Sequence, residues 1–186
     1  NAVKLATTND GVSITGICTA TDFSGASGGA ADFPNGITAS AITVSGDVTF
    51  SSPGDINLSG LLSEKVIITA GKLSDNTNLD LGSGVIKLFT TTDTTTSTPN
   101  LRYDGSTSLN SKIAIGETLS VVIITTAAAG GYSAQLTIDG SAVTEEWSGG
   151  AAPSAGGAGG YDLYAYTIIK TADATWTVLS SLTNFA

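Results

Sequence analysis

Apolar and polar residues alternate in Val12-Ser13-Ile14-Thr15, Ile42-Thr43-Val44-Ser45 and Ile56-Asn57-Leu58-Ser59, and a glycine follows each at once: Gly16, Gly46 and Gly60. A period of two is the signature of a strand with two distinct faces. Leu79-Asp80-Leu81-Gly82 is a weaker fourth copy. The copies are unequally spaced, so they predict a degenerate repeat, not a solenoid of constant period. Heavier strands are expected over residues 65–70, 84–90, 117–126, 132–138, 161–171 and 175–179. Turn residues separate them, with Asp139-Gly140 marking a two-residue hairpin. No window of a dozen residues keeps apolar positions at helical spacing. The pattern predicts an all-β chain: an extended β-rich arm over residues 1–60, then an antiparallel β-sandwich, jelly-roll-like, over residues 61–186.

Two of the heavy strands are apolar on both sides. In residues 117–126, Leu119, Val121 and Ile123 face one way and Val122 and Ile124 the other. In residues 161–170, Leu163 and Ile169 oppose Tyr164, Tyr166 and Ile168. A two-layer fold covers one face of each strand. Each large apolar side chain left on the other face forgoes roughly 1.5–3 kcal/mol of burial. Self-association is the economical remedy, and the candidate interface residues are Val122, Ile124, Tyr164, Tyr166 and Ile168, with Ile42 and Val44 of the arm.

Composition narrows the partners. Of 186 residues, 41% are hydrophobic and only 12% charged, and the net charge is −9. The seven basic residues are scattered, so no patch neutralises a run of phosphates, and neither nucleic acid nor an anionic membrane is an expected partner. The longest apolar run, Val121-Val122-Ile123-Ile124, is far short of the roughly 18 residues that span a bilayer. The start lacks the long apolar stretch of a secretory signal. There is no methionine, so Asn1 is expected to be a processed start or the continuation of a longer chain.

The chemistry on offer is sparse. With no histidine there is no imidazole base and no ordinary zinc site. The single cysteine, Cys18, closes no intrachain disulfide and has no activating neighbour, which marks it as a small apolar strand residue. Glu145 and Glu146 are adjacent, so on a strand they face opposite ways and cannot line one cleft as a hydrolytic pair. Asp75, Asn76, Asn78 and Asp80 supply oxygens without the spacing of a calcium loop. The glycine-rich stretch at residues 148–160 lacks a phosphate-loop lysine and reads as a surface loop. Trp147 and Tyr161 flank it and are the candidate glycan contacts, because aromatic faces stack on sugars. No catalytic, metal-binding or cofactor-binding residue is predicted.

"GVSITGICTATDFSG" and "NGITASAITVSGDVTF" resemble the T-A-T-x-F-S-G and G-[IV]-T-A-x-x-[IV]-x-[IV]-S-G repeats of fibre and structural proteins of tailed bacteriophages, particularly those of marine hosts. Residues 145–186 are similar to the W-x-G-G-x-x-P-x-x-G … D-x-Y-x-[FY]-T-I-I-K-T … T-V-L-x-S … F-A ending of such virion proteins. That match carries Trp147, Gly149, Gly150, Pro153, Tyr164, Ile168, Ile169, Lys170 and Phe185 in order, and it implies that Ala186 is the natural end. The resemblance implies a non-enzymatic virion surface protein, a homotrimer, acting as a tail fibre or spike or as a capsid fibre or decoration subunit. Its expected partners are other capsid or tail proteins and a host surface glycan. A bacterial adhesin or filament subunit, or a glycan-binding module, shares the same composition.

Overall fold

The computed structural model describes residues 59–185, the backbone of two strands near the start, and Val44 and Val48. Ile42, Cys18 and most of the expected arm lie outside the described residues. The chain divides into two units, Asn1–Ile56 and Asn57–Ala186. In the first, β1 (Leu5–Thr8) and β2 (Gly11–Ile14) pair antiparallel, with Leu5 opposite Ile14 and Thr8 opposite Gly11.

The second unit is built almost wholly of strands. They are β3 (Val66–Thr69), β4 (Asn78–Asp80), β5 (Ile86–Phe89), β6 (Asn100–Arg102), β7 (Thr118–Thr126), β8 (Thr137–Ile138), β9 (Ser141–Ala142), β10 (Glu145–Trp147), β11 (Tyr161–Ala172) and β12 (Thr175–Phe185). One sheet has six strands in the order β10-β12-β11-β7-β5-β3, the other four in the order β4-β6-β8-β9. A single helical turn, α1 (Leu109–Lys112), interrupts the connection between β6 and β7.

From β3 to β8 the chain alternates between the sheets, and each return lays the new strand parallel to the previous one in that sheet. Val66, Ile86 and Val122 stand side by side in the larger sheet, and Asn78, Asn100 and Thr137 in the smaller. Tight turns join only antiparallel neighbours, so a parallel partner requires a crossover, which here runs through the opposite sheet. The expected antiparallel pairing is therefore corrected: the chain winds in parallel from β3 to β8 and closes mainly with antiparallel elements. Those are the hairpin β8–β9 and the long ribbon in which β11 pairs with both β7 and β12, while β10 adds parallel to β12 at the sheet edge. At the first hairpin Asp139 and Gly140 have φ of 49° and 81°, the left-handed pair of a two-residue turn.

Both sheets feed one core. The smaller contributes Leu79, Leu101 and Ile138, neighbours in register, and the larger contributes Phe89, Val121, Ile123, Tyr164, Tyr166, Ile168 and Val178. The two tyrosine hydroxyls close on Ser133: its N–H donates to Tyr164 Oη at 3.2 Å, and Tyr166 Oη donates to its Oγ at 3.4 Å. Burial pushes the Tyr164 hydroxyl up to about 12, and Tyr166 rises for the same reason, so both stay protonated.

Buried charges sit at the margins of this core, each against a local partner. Lys87 Nζ donates to the Asp80 carbonyl at 2.7 Å and to Ser83 Oγ at 3.1 Å. Lys170 donates to the Asn110 and Ile113 carbonyls, capping α1. Asp162, fully buried, accepts the Gly157 N–H at 2.9 and 3.1 Å and Asn184 Nδ2 at 2.6 Å. That contact folds the glycine-rich loop back onto β11. A Cβ at Gly156 or Gly157 would come within 2.7 Å of the Asp162 carboxylate, so the close approach demands glycine there.

Candidate functional site

The register of the larger sheet sorts its side chains into two faces. Toward the core point Ile67, Lys87, Phe89, Val121, Ile123, Asp162, Tyr164, Tyr166, Ile168 and Val178. Away from it, two rows cross five strands side by side. One is Val66–Ile86–Val122–Ala165–Ser181 and the other Ile68–Leu88–Ile124–Leu163–Thr183. At one end of these rows Tyr161 pairs with Phe185, at the other Leu179 with Thr167. Ile68 is 67% exposed, Phe185 51%, Tyr161 49%, Leu179 47% and Val66 40%. The remaining aliphatic members are half-buried.

The outer face is almost free of charge. Among the described strand residues, Glu146 is its only ionisable carboxylate, and hydroxyls of Thr118, Ser120, Thr167, Thr177, Ser181 and Thr183 fill the rest. Five strands about 4.8 Å apart, each giving about 15 Å of length, make a footprint of roughly 350 Å². A standard interface covers about 800 Å² on each partner. The patch is thus sized as the apolar centre of an interface whose rim comes from surrounding surface.

The candidate interface residues divide between the two faces. Val122 and Ile124 lie in the outer rows. Tyr164, Tyr166 and Ile168 are 0%, 1% and 0% exposed, enclosed by their own chain, and this corrects their candidacy: they have no surface left to offer a second molecule. Val44 is 52% exposed, and Ile42 is outside the described residues. Sequence reasoning missed Ile86, Leu88, Leu163 and Ala165. Within the strand expected over residues 84–90, Lys87 is the buried member and Ile86 and Leu88 face outward, because the Asp80 carbonyl and Ser83 Oγ receive the Lys87 ammonium. Burial lowers the Lys87 pKa, and the Asp80 charge partly opposes this.

The two glycan candidates are not brought together. Trp147 turns inward and meets Tyr166 edge-on, ring centroids 6.2 Å apart. Tyr161 stands on the outer face. Trp147 pairs with Ser180 and Tyr161 with Phe185, which are about 17 Å apart along β12. An open cavity of about 460 Å³ beside Trp147 is lined by Glu146, Ala165, Thr167, Leu179 and Ser181 among others, and it forms one end of the same outer face.

Glu145 and Glu146 separate as strand geometry requires, with Glu146 exposed and Glu145 half-buried. Glu145 Oε2 accepts the Leu136 N–H at 3.0 Å, while Oε1 is buried without a partner. Burial raises its pKa, and the Leu136 N–H offsets part of the rise. Among the described residues no three acidic or cysteine side chains gather as a metal site. No family model matches the chain, and neither does any curated protein or solved structure.

Proposed function

We propose that this chain is a non-enzymatic structural subunit of a tailed-bacteriophage virion surface, a tail fibre or spike or a capsid fibre or decoration subunit, working through homo-oligomeric assembly as a trimer. The observation that carries the reading is the outer face of the six-stranded sheet, where, among the described residues, two aliphatic rows are half-buried or exposed and almost uncharged. In a chain of net charge −9, two copies that meet through this face bring few carboxylates together. In this reading the two sheets over one core form a sandwich-like head, residues 1–60 form the arm that joins it to the particle, and surface chemistry at the rim meets the host. The repeats of residues 11–50 and the ending of residues 145–186 supply the phage assignment by resemblance.

Sedimentation velocity across a concentration series tests the assembly: a trimer is expected, and Ile124→Lys combined with Leu88→Lys is expected to yield a folded monomer. A wild-type chain that stays monomeric at high concentration overturns the assembly reading. Immunogold labelling of purified phage particles with antibody to the full chain tests the setting. Label on tail or capsid is expected. Label on host surface filaments in place of particles overturns the virion assignment in favour of an adhesin or filament subunit.

A further inference from the structure

Between the hairpin β8–β9, the helical turn α1 and the turn that joins β11 to β12 lies a cavity of about 290 Å³. Register fixes part of its wall. Ile138 pairs with Ser141, so their side chains stand on one face of the smaller sheet, Ile138 buried and Ser141 exposed. Trp176, half-buried on β12, adds an indole to the lining.

The polar groups at this cavity are held in place by the fold. Asp139 Oδ1 accepts the Leu109 N–H at 2.8 Å and Oδ2 the Asn110 N–H at 2.9 Å. Asn110 Nδ2 donates to Asp173 Oδ1 at 2.9 Å, and its Oδ1 accepts the Ala174 N–H at 2.8 Å. Asn110 thereby ties α1 to both turns. Neither side chain exhausts its capacity, since each carboxylate oxygen accepts a further bond and the carboxamide keeps a second N–H. The Ser141 hydroxyl takes part in no hydrogen bond among the described residues. Side chains already fixed in this way lose little rotamer freedom when a ligand arrives.

Size and charge select the ligand. The volume is at the lower end for small-molecule sites, with room for one ring and not for a nucleotide. No lysine or arginine lines the cavity, and Asp139 repels an anion, so phosphate and acidic sugars are disfavoured. A cation is disfavoured as well, because the Lys170 ammonium is already 5.8 Å from the centroid of the Trp176 ring. A neutral ring rich in hydroxyls suits what remains: its C–H face packs on an indole, and a carboxylate and a carboxamide serve neighbouring hydroxyls as acceptor and donor.

We propose that this cavity binds one neutral pyranose unit, with Trp176 against the face of the ring and Asp139 and Asn110 taking adjacent hydroxyls. The aromatic residue is a different one from the pair that flanks the glycine-rich loop. The inference rests on the cavity alone, and its failure leaves the assembly reading where it stands.

The test is a titration of the full chain with the methyl glycosides of glucose, galactose and mannose, followed by the two indole N–H signals in nuclear magnetic resonance. The free hexoses form a parallel arm, which separates a glycan's terminal unit from a free sugar as the source. The Trp176 signal is expected to move for at least one sugar, with a Kd on the order of 1–10 mM for so small a ligand, while the Trp147 signal stays. Choline and glucose 6-phosphate are expected to leave both signals in place. Trp176→Ala is expected to weaken binding at least tenfold, read by saturation transfer to the sugar protons. Ser141→Phe fills the cavity from an exposed position and is expected to abolish binding with the circular dichroism unchanged. No shift with any sugar overturns the proposal, as does a shift confined to Trp147, which would place the sugar in the cavity beside that residue. Binding of choline in place of sugar overturns the ligand class, and sugar binding that survives both substitutions overturns the site.

Discussion

On the inner face of the six-stranded sheet, Lys87, Glu145, Asp162 and Lys170 share space with the core. On the outer face, half-buried or exposed among the described residues, the strands carry aliphatic and hydroxyl side chains and almost no charge. This inverts the usual arrangement, in which the buried side is apolar and the wet side charged. The inner charges are tolerated because each lies near a sheet margin, where a loop turns backbone groups toward it. The Asp80 carbonyl meets Lys87, the carbonyls of α1 meet Lys170, and the Gly157 N–H meets Asp162. The outer face, whose exposed positions could solvate a charge, nevertheless carries little. A surface kept apolar where charge would be cheap is best understood as one meant to be covered.

The largest effects should come from the inner face. Tyr166→Ala removes a ring 1% exposed, its edge contact with Trp147 and its bond to Ser133. A loss of about 3–5 kcal/mol is expected in denaturant unfolding, with the secondary structure of any surviving fold unchanged. A loss below about 1 kcal/mol would mean that this face is not the core. Next, Asp162→Ala strips the glycine-rich loop of its acceptor and leaves Asn184 and the Gly157 N–H without a partner. About 1.5–3 kcal/mol is expected. Limited proteolysis should cleave residues 148–160 before the strands do, and equal resistance of variant and wild type would refute the latch.

On the outer face the expectation reverses in kind. Ile124→Thr keeps the β-branched shape and removes apolar surface from a half-buried position, so the isolated fold should lose only about 1 kcal/mol or less. Self-association, read by sedimentation, should weaken at least tenfold, because the substitution lies at the middle of one of the two aliphatic rows. Equal losses of stability and association would erase the distinction between the faces. A variant that unfolds outright would show the outer rows to be core.

How far this division was legible depended on the residue. Periodicity placed strands at Val66–Thr69, Ile86–Phe89, Thr118–Thr126 and Tyr161–Ala172, and Asp139-Gly140 announced its turn. It did not reveal β6, where one leucine between Asn100 and Arg102 gives no alternation to detect. Parallel pairing was hidden because its partners are separated by long connections, while local turn signals specify only antiparallel neighbours. Choosing between two apolar faces was beyond pattern altogether. Tyr164 and Tyr166 went inside because Ser133 offers their hydroxyls a partner, and Ser133 arrives from a distant connection between the sheets. In Ile86-Lys87-Leu88 the fate of the lysine depended on a turn just upstream that aims the Asp80 carbonyl and Ser83 Oγ at it, which alternation along the strand does not register.

The smallest expected effect tests the comparison at its weakest charge. Glu145 is on the inner face, yet its Oε1 has no partner, so it lacks the full compensation that Asp162 enjoys. Burial raises its folded pKa above the ordinary carboxylate value, and the Leu136 N–H recovers part of the cost. Below the unfolded pKa both states hold the proton, and the residue imposes no ionisation penalty. As pH rises through the unfolded value the unfolded chain ionises first, and stability falls until the folded pKa is passed; above it the loss is complete. Glu145→Gln cannot ionise, and its amide oxygen can still accept the Leu136 N–H. The melting temperature of Glu145→Gln relative to wild type is therefore expected to be higher at pH 7 than at pH 4, with the change concentrated just above the ordinary carboxylate range. Parallel melting curves across that range would mean that Glu145 ionises in the fold as freely as in water, and that the inner face takes up charge even where one carboxylate oxygen is left without a partner.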